Sequence, residues 1–343
     1  MSRLYGLALA SVAQAAFLLP ACAQAQVAPS PADSTQPGPQ AATEPTDPGN
    51  DIVVTANRQG AQSLIAVPLA IQAFSGEQLE TRGIRDTTDL VGAIPGASSG
   101  EQVGSVIKTF TLRGVGAAGG VGDSPIGYYI DGVPFAIPNL PLAPPLRFVD
   151  IDRVEVLRGP QGTLYGQGSA GGTIIYHTRD PNLEKIEFRG EASIGKMDDA
   201  SDVNYGASGA LSLPIVKGKL AVRISGGYDM RAGYVDVYSA TPSTGPRVAK
   251  DANDITNRDI RAVVLWRPSD ALTVRAQVAH WEPRQDYTQS LRVLDPPQIW
   301  NTGGVKGYES GNFDLYSLTA EYDAGFAVLS NSSSILDGKF GYL

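Results

Sequence analysis

The feature that most narrows the fold is a change of pattern after Asp180. Beyond it, long runs alternate small or apolar residues with polar ones: Val222, Ile224, Gly226 and Tyr228 fall on one face of a run, Arg223, Ser225 and Gly227 on the other. Leu272, Val274, Ala276 and Val278 oppose Thr273, Arg275 and Gln277 in the same way. A period of two is the signature of a β-strand whose faces meet different surroundings. About seven strands are predicted, near residues 186–196, 204–213, 219–229, 257–267, 271–281, 313–323 and 326–336. Tight turns at Pro214 to Gly218, Pro268 to Asp270 and Ala324-Gly325 exchange with long excursions at 230–256 and 282–312. A soluble sandwich shares the alternation. The exchange of short and long connections favours a transmembrane barrel, with short periplasmic turns and long external loops.

Composition bounds the rest. The chain has 343 residues, with 39 glycines, 24 prolines and only 18% charged residues, which is unusual for two soluble domains. It carries a net charge of -8 and no basic cluster, so no nucleic-acid partner is expected. Arg3, the apolar run from Leu4 to Leu19 and the small-residue sites Ala21-Cys22-Ala23 and Ala23-Gln24-Ala25 predict a secretory signal peptide over residues 1–25. Cys22, the sole cysteine, would leave with it; an acylated Cys22 is the alternative, and in either case no internal disulfide forms. Residues 26–50, rich in Pro, Ala, Thr and Gln, have the composition of a disordered tether. It ends in the β-prone hexamer Asp51, Ile52, Val53, Val54, Thr55 and Ala56.

Residues 57–180 alternate short strands and helices. A strand is predicted over Ile65 to Phe74, followed by a capping box in which Ser75 caps a short helix and Gln78 reaches back, with Gly83 ending it. A second helix runs from Asp86 to Ala93, and strands follow at Lys108 to Arg113 and Ile126 to Ile130, the latter turning at Asp131-Gly132. Two further runs, Ile151 to Leu157 and Gly172 to Thr178, flank a segment with glycines at 159, 162, 166, 168, 171 and 172. No ordinary hairpin needs so many, so the backbone there is expected to fold tightly against something else. A phosphate-cradling loop fits poorly, because a β-rich run rather than a helix follows it.

The run VEVLRGPQGTLYG followed by GGTIIYHT, with TLRGVG and YYIDGVP upstream, resembles the plug domain of TonB-dependent outer-membrane receptors. The resemblance covers residues 51–180. It implies an α+β plug domain followed by antiparallel transmembrane β-barrel strands, and an incomplete barrel, since plugged transporters of this kind have about 22 strands. The chain is accordingly expected to be the N-terminal portion of a longer protein. Residues 51–56 resemble the TonB box, which adds itself as a strand to its partner TonB. In the family, arginines at places matching Arg113 and Arg158 pair with acids on later barrel strands, which this chain is not expected to contain, and lock the plug. The implied function is energy-coupled import of a scarce ligand across the outer membrane, first an iron–siderophore complex, with glycan, haem or cobalamin on the same scaffold as alternatives. A surface-binding receptor that never transports is the reading from another class.

Among aromatic residues, Trp266 and Trp281 at strand ends are expected in the interfacial girdle. Tyr287, Trp300 and Tyr308 in the long loops are candidate ligand contacts, alongside Tyr234 and Tyr238. His177 and His280 stand far from any second His or Cys, and Asp198, Asp199 and Asp202 are expected at a solvated loop tip. No catalytic group, cofactor or metal site is expected. The partners are TonB, outer-membrane lipid and the ligand, with the plug facing the periplasm.

Overall fold

A computed structural model describes residues 10–13, 53–54, 62–63, 71–100, 108–116, 122–165, 168–198, 200–238, 246–286, 291–292, 298–300 and 307–342. The N-terminal domain contains β1 (Ile71–Ser75), α1 (Gly76–Thr81), α2 (Thr87–Gly92), β2 (Ala97–Gly100), β3 (Thr109–Leu112), β4 (Ile126–Ile130), β5 (Ile151–Arg158), α3 (Gly162–Tyr165) and β6 (Gly172–Thr178). Its central sheet runs β1-β5-β6-β4, with β5 antiparallel to both neighbours and β6 parallel to β4. The capping box forms as the sequence predicts: the Gln78 amide N–H donates to Ser75 Oγ, and the Ser75 N–H donates to Gln78 Oε1, each at 3.2 Å. Asp86 caps α2, accepting from the Thr88 and Asp89 amides.

Strand parity decides what each face buries. Phe74, Val154, Val156, Ile174, Tyr176 and Tyr128 share a face with Leu79, Leu90 and Val91 of the helices, and all are buried. Tyr129, Leu157 and Ile175 lie on the other face with Tyr165 of α3. The glycine-rich segment explains itself at Gly172, which has φ +148; a Cβ there would lie 2.5 Å from the Leu157 carbonyl oxygen, so β5 and β6 can meet only without a side chain. Asp131 and Gly132 both have positive φ, as a tight hairpin turn requires, and Val133–Pro134 pairs back on β4.

Seven long strands follow: β7 (Glu187–Lys196), β8 (Val203–Val216), β9 (Leu220–Arg231), β10 (Ile255–Ser269), β11 (Leu272–Asp286), β12 (Tyr308–Asp323) and β13 (Val328–Tyr342). Each is antiparallel to the next in sequence, forming a continuous wall. Six of the seven are longer than expected, and several gain most at the ends of the long connections, where the lipid-facing alternation fades but hairpin pairing continues. Pro214 and Pro268 fall inside β8 and β10, not in turns. Among the described residues β7 and β13 are not paired with each other; Ala10–Ala13, within the predicted signal peptide, pairs with Ser334 to Asn331 of β13. An edge strand offers unpaired backbone groups that such a β-prone segment satisfies.

The outward face of the wall is apolar. On β10, Ile260, Val264 and Trp266 are exposed, and Arg258 stands at the opposite end from Trp266. At about 3.3 Å per residue and a strand tilt of ~40°, Arg258 to Trp266 spans roughly 20 Å of depth, near the ~25 Å lipid-facing band of such barrels. The inward face carries Arg223, Ser225, Arg261, Val263, Gln277 and Ala279, all buried against the small domain. Trp281 departs from expectation. It is 7% exposed and packs inward with Phe313 and Leu315 against the small domain's core, because its odd position on β11 faces the interior. Phe135 meets Phe313 there, ring centroids 5.6 Å apart.

Candidate functional site

The small domain is fastened to the wall by buried ion pairs. Asp150, directly before β5, accepts two hydrogen bonds from Arg223 of β9, one of them Nε to Oδ2 at 2.7 Å. Arg261 of β10 reaches the same carboxylate, Nη2 to Oδ2 at 2.7 Å, and also the Asp150 carbonyl oxygen at 3.3 Å. The Asp150 and Arg223 side chains are each 1% exposed. Arg223 also lies 3.4 Å from Glu187 of β7.

A second cluster adjoins the first. Asp131 accepts from the Thr178 amide at 2.8 Å and the Thr178 hydroxyl at 2.7 Å, and pairs with Arg275 of β11 at 3.1 Å. Arg275 Nε also meets Asp180 at 2.8 Å. Burial alone would raise the Asp131 pKa, but the Arg275 and Arg261 guanidiniums and the Thr178 hydrogen bonds hold it below its ordinary value. These contacts gather where the chain leaves the small domain for the wall. On the helix side, Asp86 pairs with Arg231 at 2.7 Å, and Arg147 pairs with Asp259 at 3.3 Å.

Beside the helices lies a cavity of about 1130 Å³ between α1, α2 and strands β7 to β9, with Glu80, Arg85, Asp89, Tyr205 and Arg231 among its walls. Burial and then the Asp86 charge raise the Asp89 pKa. Burial likewise pushes the Tyr128 and Tyr176 hydroxyls up, so both stay neutral.

The acids expected to pair with Arg113 and Arg158 belong to later barrel strands than the seven described. Arg113 is exposed at φ 51, and neither it nor Arg158 makes an ion pair among the described residues. The Nε of Arg158 is buried and has no hydrogen-bond partner among the described residues. The observed fastening has the reverse polarity at three points, with acids on the small domain and arginines on the wall. Sequence parity had already placed Arg223 and Arg275 inward; a charged residue in the middle of an alternating run was the available signal.

Of the hexamer, Val53 and Val54 form a short antiparallel pairing with Ser63 and Gln62, and Asp51, Ile52, Thr55 and Ala56 lie outside the described residues, as does Tyr287. Trp300 stands opposite Tyr238 in a small sheet that joins the two long loops, Asp236–Tyr238 running parallel to Gln298–Trp300. Tyr308 occupies the β12 face opposite to buried Glu309, and its ring is covered by Arg284 at 5.1 Å. That register places it on the outward face of β12. His177 meets Glu155 at 3.1 Å, and His280 meets Asp314 at 2.8 Å.

Residues 63–173 match the family described as the TonB-dependent receptor plug domain. These residues are a plug. The pesticin receptor of Yersinia pestis is 33% identical over 182 residues, covering 53% of this chain and 23% of that protein. The probable TonB-dependent siderophore receptor PirA of Acinetobacter baumannii is 30% identical over 134 residues, 38% of this chain and 17% of its own. Among solved structures, the ferric yersiniabactin uptake receptor FyuA of Yersinia pestis superposes with a TM-score of 0.66 at 22% identity, over 81% of this chain and 42% of that one. The ferric citrate transporter FecA gives 0.64 at 16% identity, over 80% and 40%. The chain thus spans about a quarter or less of these curated relatives' lengths. Residues 63–173 thus match a plug domain, and the strands around it have the fold of the corresponding part of the ferric yersiniabactin uptake receptor's structure.

Proposed function

We propose that the protein is an outer-membrane receptor that imports a scarce ligand with energy delivered through TonB, and that the ligand is an iron–siderophore complex. The observation that carries this reading is the plug held by buried ion pairs against the inward face of strands whose outward face suits lipid. A stopper inside a barrel wall serves gated passage, and no catalytic step is assigned to it. The relative named as a probable siderophore receptor supports the ligand class.

In this reading residues 51–56 face the periplasm and add as a strand to TonB, backbone hydrogen bonds giving affinity and alternate side chains giving register. Arg158 keeps its locking role as part of the proposal, since a buried unpaired Nε calls for an acceptor; Arg113 is proposed beside it. The test is growth of a deletion strain on a panel of ferric chelates, glycans, haem and cobalamin, with and without TonB. Loss of growth on a ferric chelate in both the deletion and the TonB-less strain supports the reading. Unchanged growth on the whole panel contradicts it, and ligand binding without TonB-dependent uptake would favour a receptor that only binds.

A further inference from the structure

The plug meets the wall in two different ways. Against β10 to β13 it packs directly, through the apolar contact of Trp281, Phe313 and Leu315 and through Arg261 and Arg275 on the two buried aspartates. Against β7 and β8 it stands off, and the cavity of about 1130 Å³ occupies the space between. All the walls of that cavity belong to the plug and to the inward side of β7 to β9. The inward positions of β8 explain the gap. Asn204, Gly206, Ser208 and Ala210 stand opposite Gly195, Ser193, Glu191 and Arg189 of β7, so over four successive inward positions β8 offers no side chain larger than asparagine. Side chains this short cannot fill the space that Arg275, Gln277 and Trp281 fill on β11.

What crosses the gap is long charged side chains. Arg189 meets Glu80 of α1 at 3.3 Å and Glu191 meets Arg85 at 4.0 Å, all four of them solvent-exposed, and Arg231 reaches Asp86 at the long-loop end. Exposed pairs contribute little to stability, because water serves each charge nearly as well. Parting the other side means breaking buried ion pairs and an apolar core, which water cannot replace. We propose that the ligand passes on the cavity side, between α1–α2 and the inward faces of β7 and β8, while the plug stays attached to β10 to β13. The walls there mix arginines with carboxylates, so a charged, hydrated solute such as a ferric chelate can be held at several weak points and released, as conduction requires. This inference rests on the import reading and names the route within it.

The two sides of the plug should respond differently to being tied. In one double variant, Glu80→Cys with Arg189→Cys, a short bifunctional methanethiosulfonate joins α1 to β7. In the other, Ile137→Cys with Gly338→Cys, it joins the plug to β13, where a Cβ added at Gly338 would lie 3.7 Å from Ile137 Cδ1 and 3.1 Å from the Phe313 ring. Cys22, the sole native cysteine, falls in the predicted signal peptide, and reagent-treated wild type is the control. Whole-cell uptake of a radioactive ferric chelate from the growth panel should be abolished by the first tie, return on reduction, and survive the second tie, with surface binding unchanged throughout. Loss of uptake with both ties means that the plug must leave the wall altogether, and uptake that survives the first tie means that α1 need not part from β7; either result overturns the inference. A single substitution covers the case in which a double variant does not fold. Ser208→Cys carrying a bulky maleimide adduct should bind the chelate at the surface and import none, and carrying only a methylthio group should import normally; equal import with both adducts overturns the inference. Failure of the wild type to import any chelate of the panel instead overturns the import reading, and the route with it.

Discussion

Asp131 and Asp150 sit at φ 49 and φ 64, backbone conformations where glycine would be unstrained, so the carboxylate is what these positions require. Asparagine tolerates the same backbone, which makes it a clean probe of charge. Asp150→Asn leaves Arg223 and Arg261 without their shared counter-ion, and should destabilise the plug by ~3–5 kcal/mol before relaxation, read as faster amide exchange across β5 and β6. Unchanged exchange would contradict the clasp. Asp131 carries a pH signature. Its folded pKa is depressed, so its contribution is complete above the ordinary value of 3.8 and is lost as the pH falls through the lower folded value. The stability gap between wild type and Asp131→Asn should therefore be constant above that value and shrink below it; a gap that is flat through the acid range would show that Arg275 does not hold the carboxylate. The sequence made the inward arginines legible by parity, but not their partners. An aspartate in a turn is so common that nothing in the sequence marks one as buried.

At the scale of elements, local chemistry was readable and distance was not. The capping box at Ser75, the α2 cap at Asp86 and the Asp131-Gly132 turn are written within a few residues, and each forms. Trp281 was misjudged by residue type as a girdle residue, where register decided the matter: odd positions of β11 face the plug. The pairing of the two long loops through Asp236–Tyr238 and Gln298–Trp300 had no sequence signal, because parallel contact between distant segments leaves no local periodicity. Gly172 belongs to the legible part. Gly172→Ala should break the β5–β6 contact, since the new Cβ would meet the Leu157 carbonyl at 2.5 Å in a conformation alanine disfavours. A marked fall in melting temperature is expected, and an unchanged value would show that the strands can part without cost.

At the scale of the molecule, the plug and the wall share one apolar core, with Trp281, Phe313 and Leu315 of the wall among Phe110, Tyr128 and Phe135 of the plug. Buried ion pairs secure its margin where the chain passes from plug to wall. In the proposed import reading, passage past this arrangement needs work applied from outside the core, and the proposed point of application is the hexamer around Val53. Proline at that position removes a backbone N–H and fixes φ, which defeats strand addition without touching the plug or the wall. The most direct test of the account is therefore to measure surface binding and energised uptake of the same labelled ferric chelate in cells carrying Val53→Pro. Binding at the wild-type level with uptake abolished is the predicted result; uptake at the wild-type rate would contradict the account.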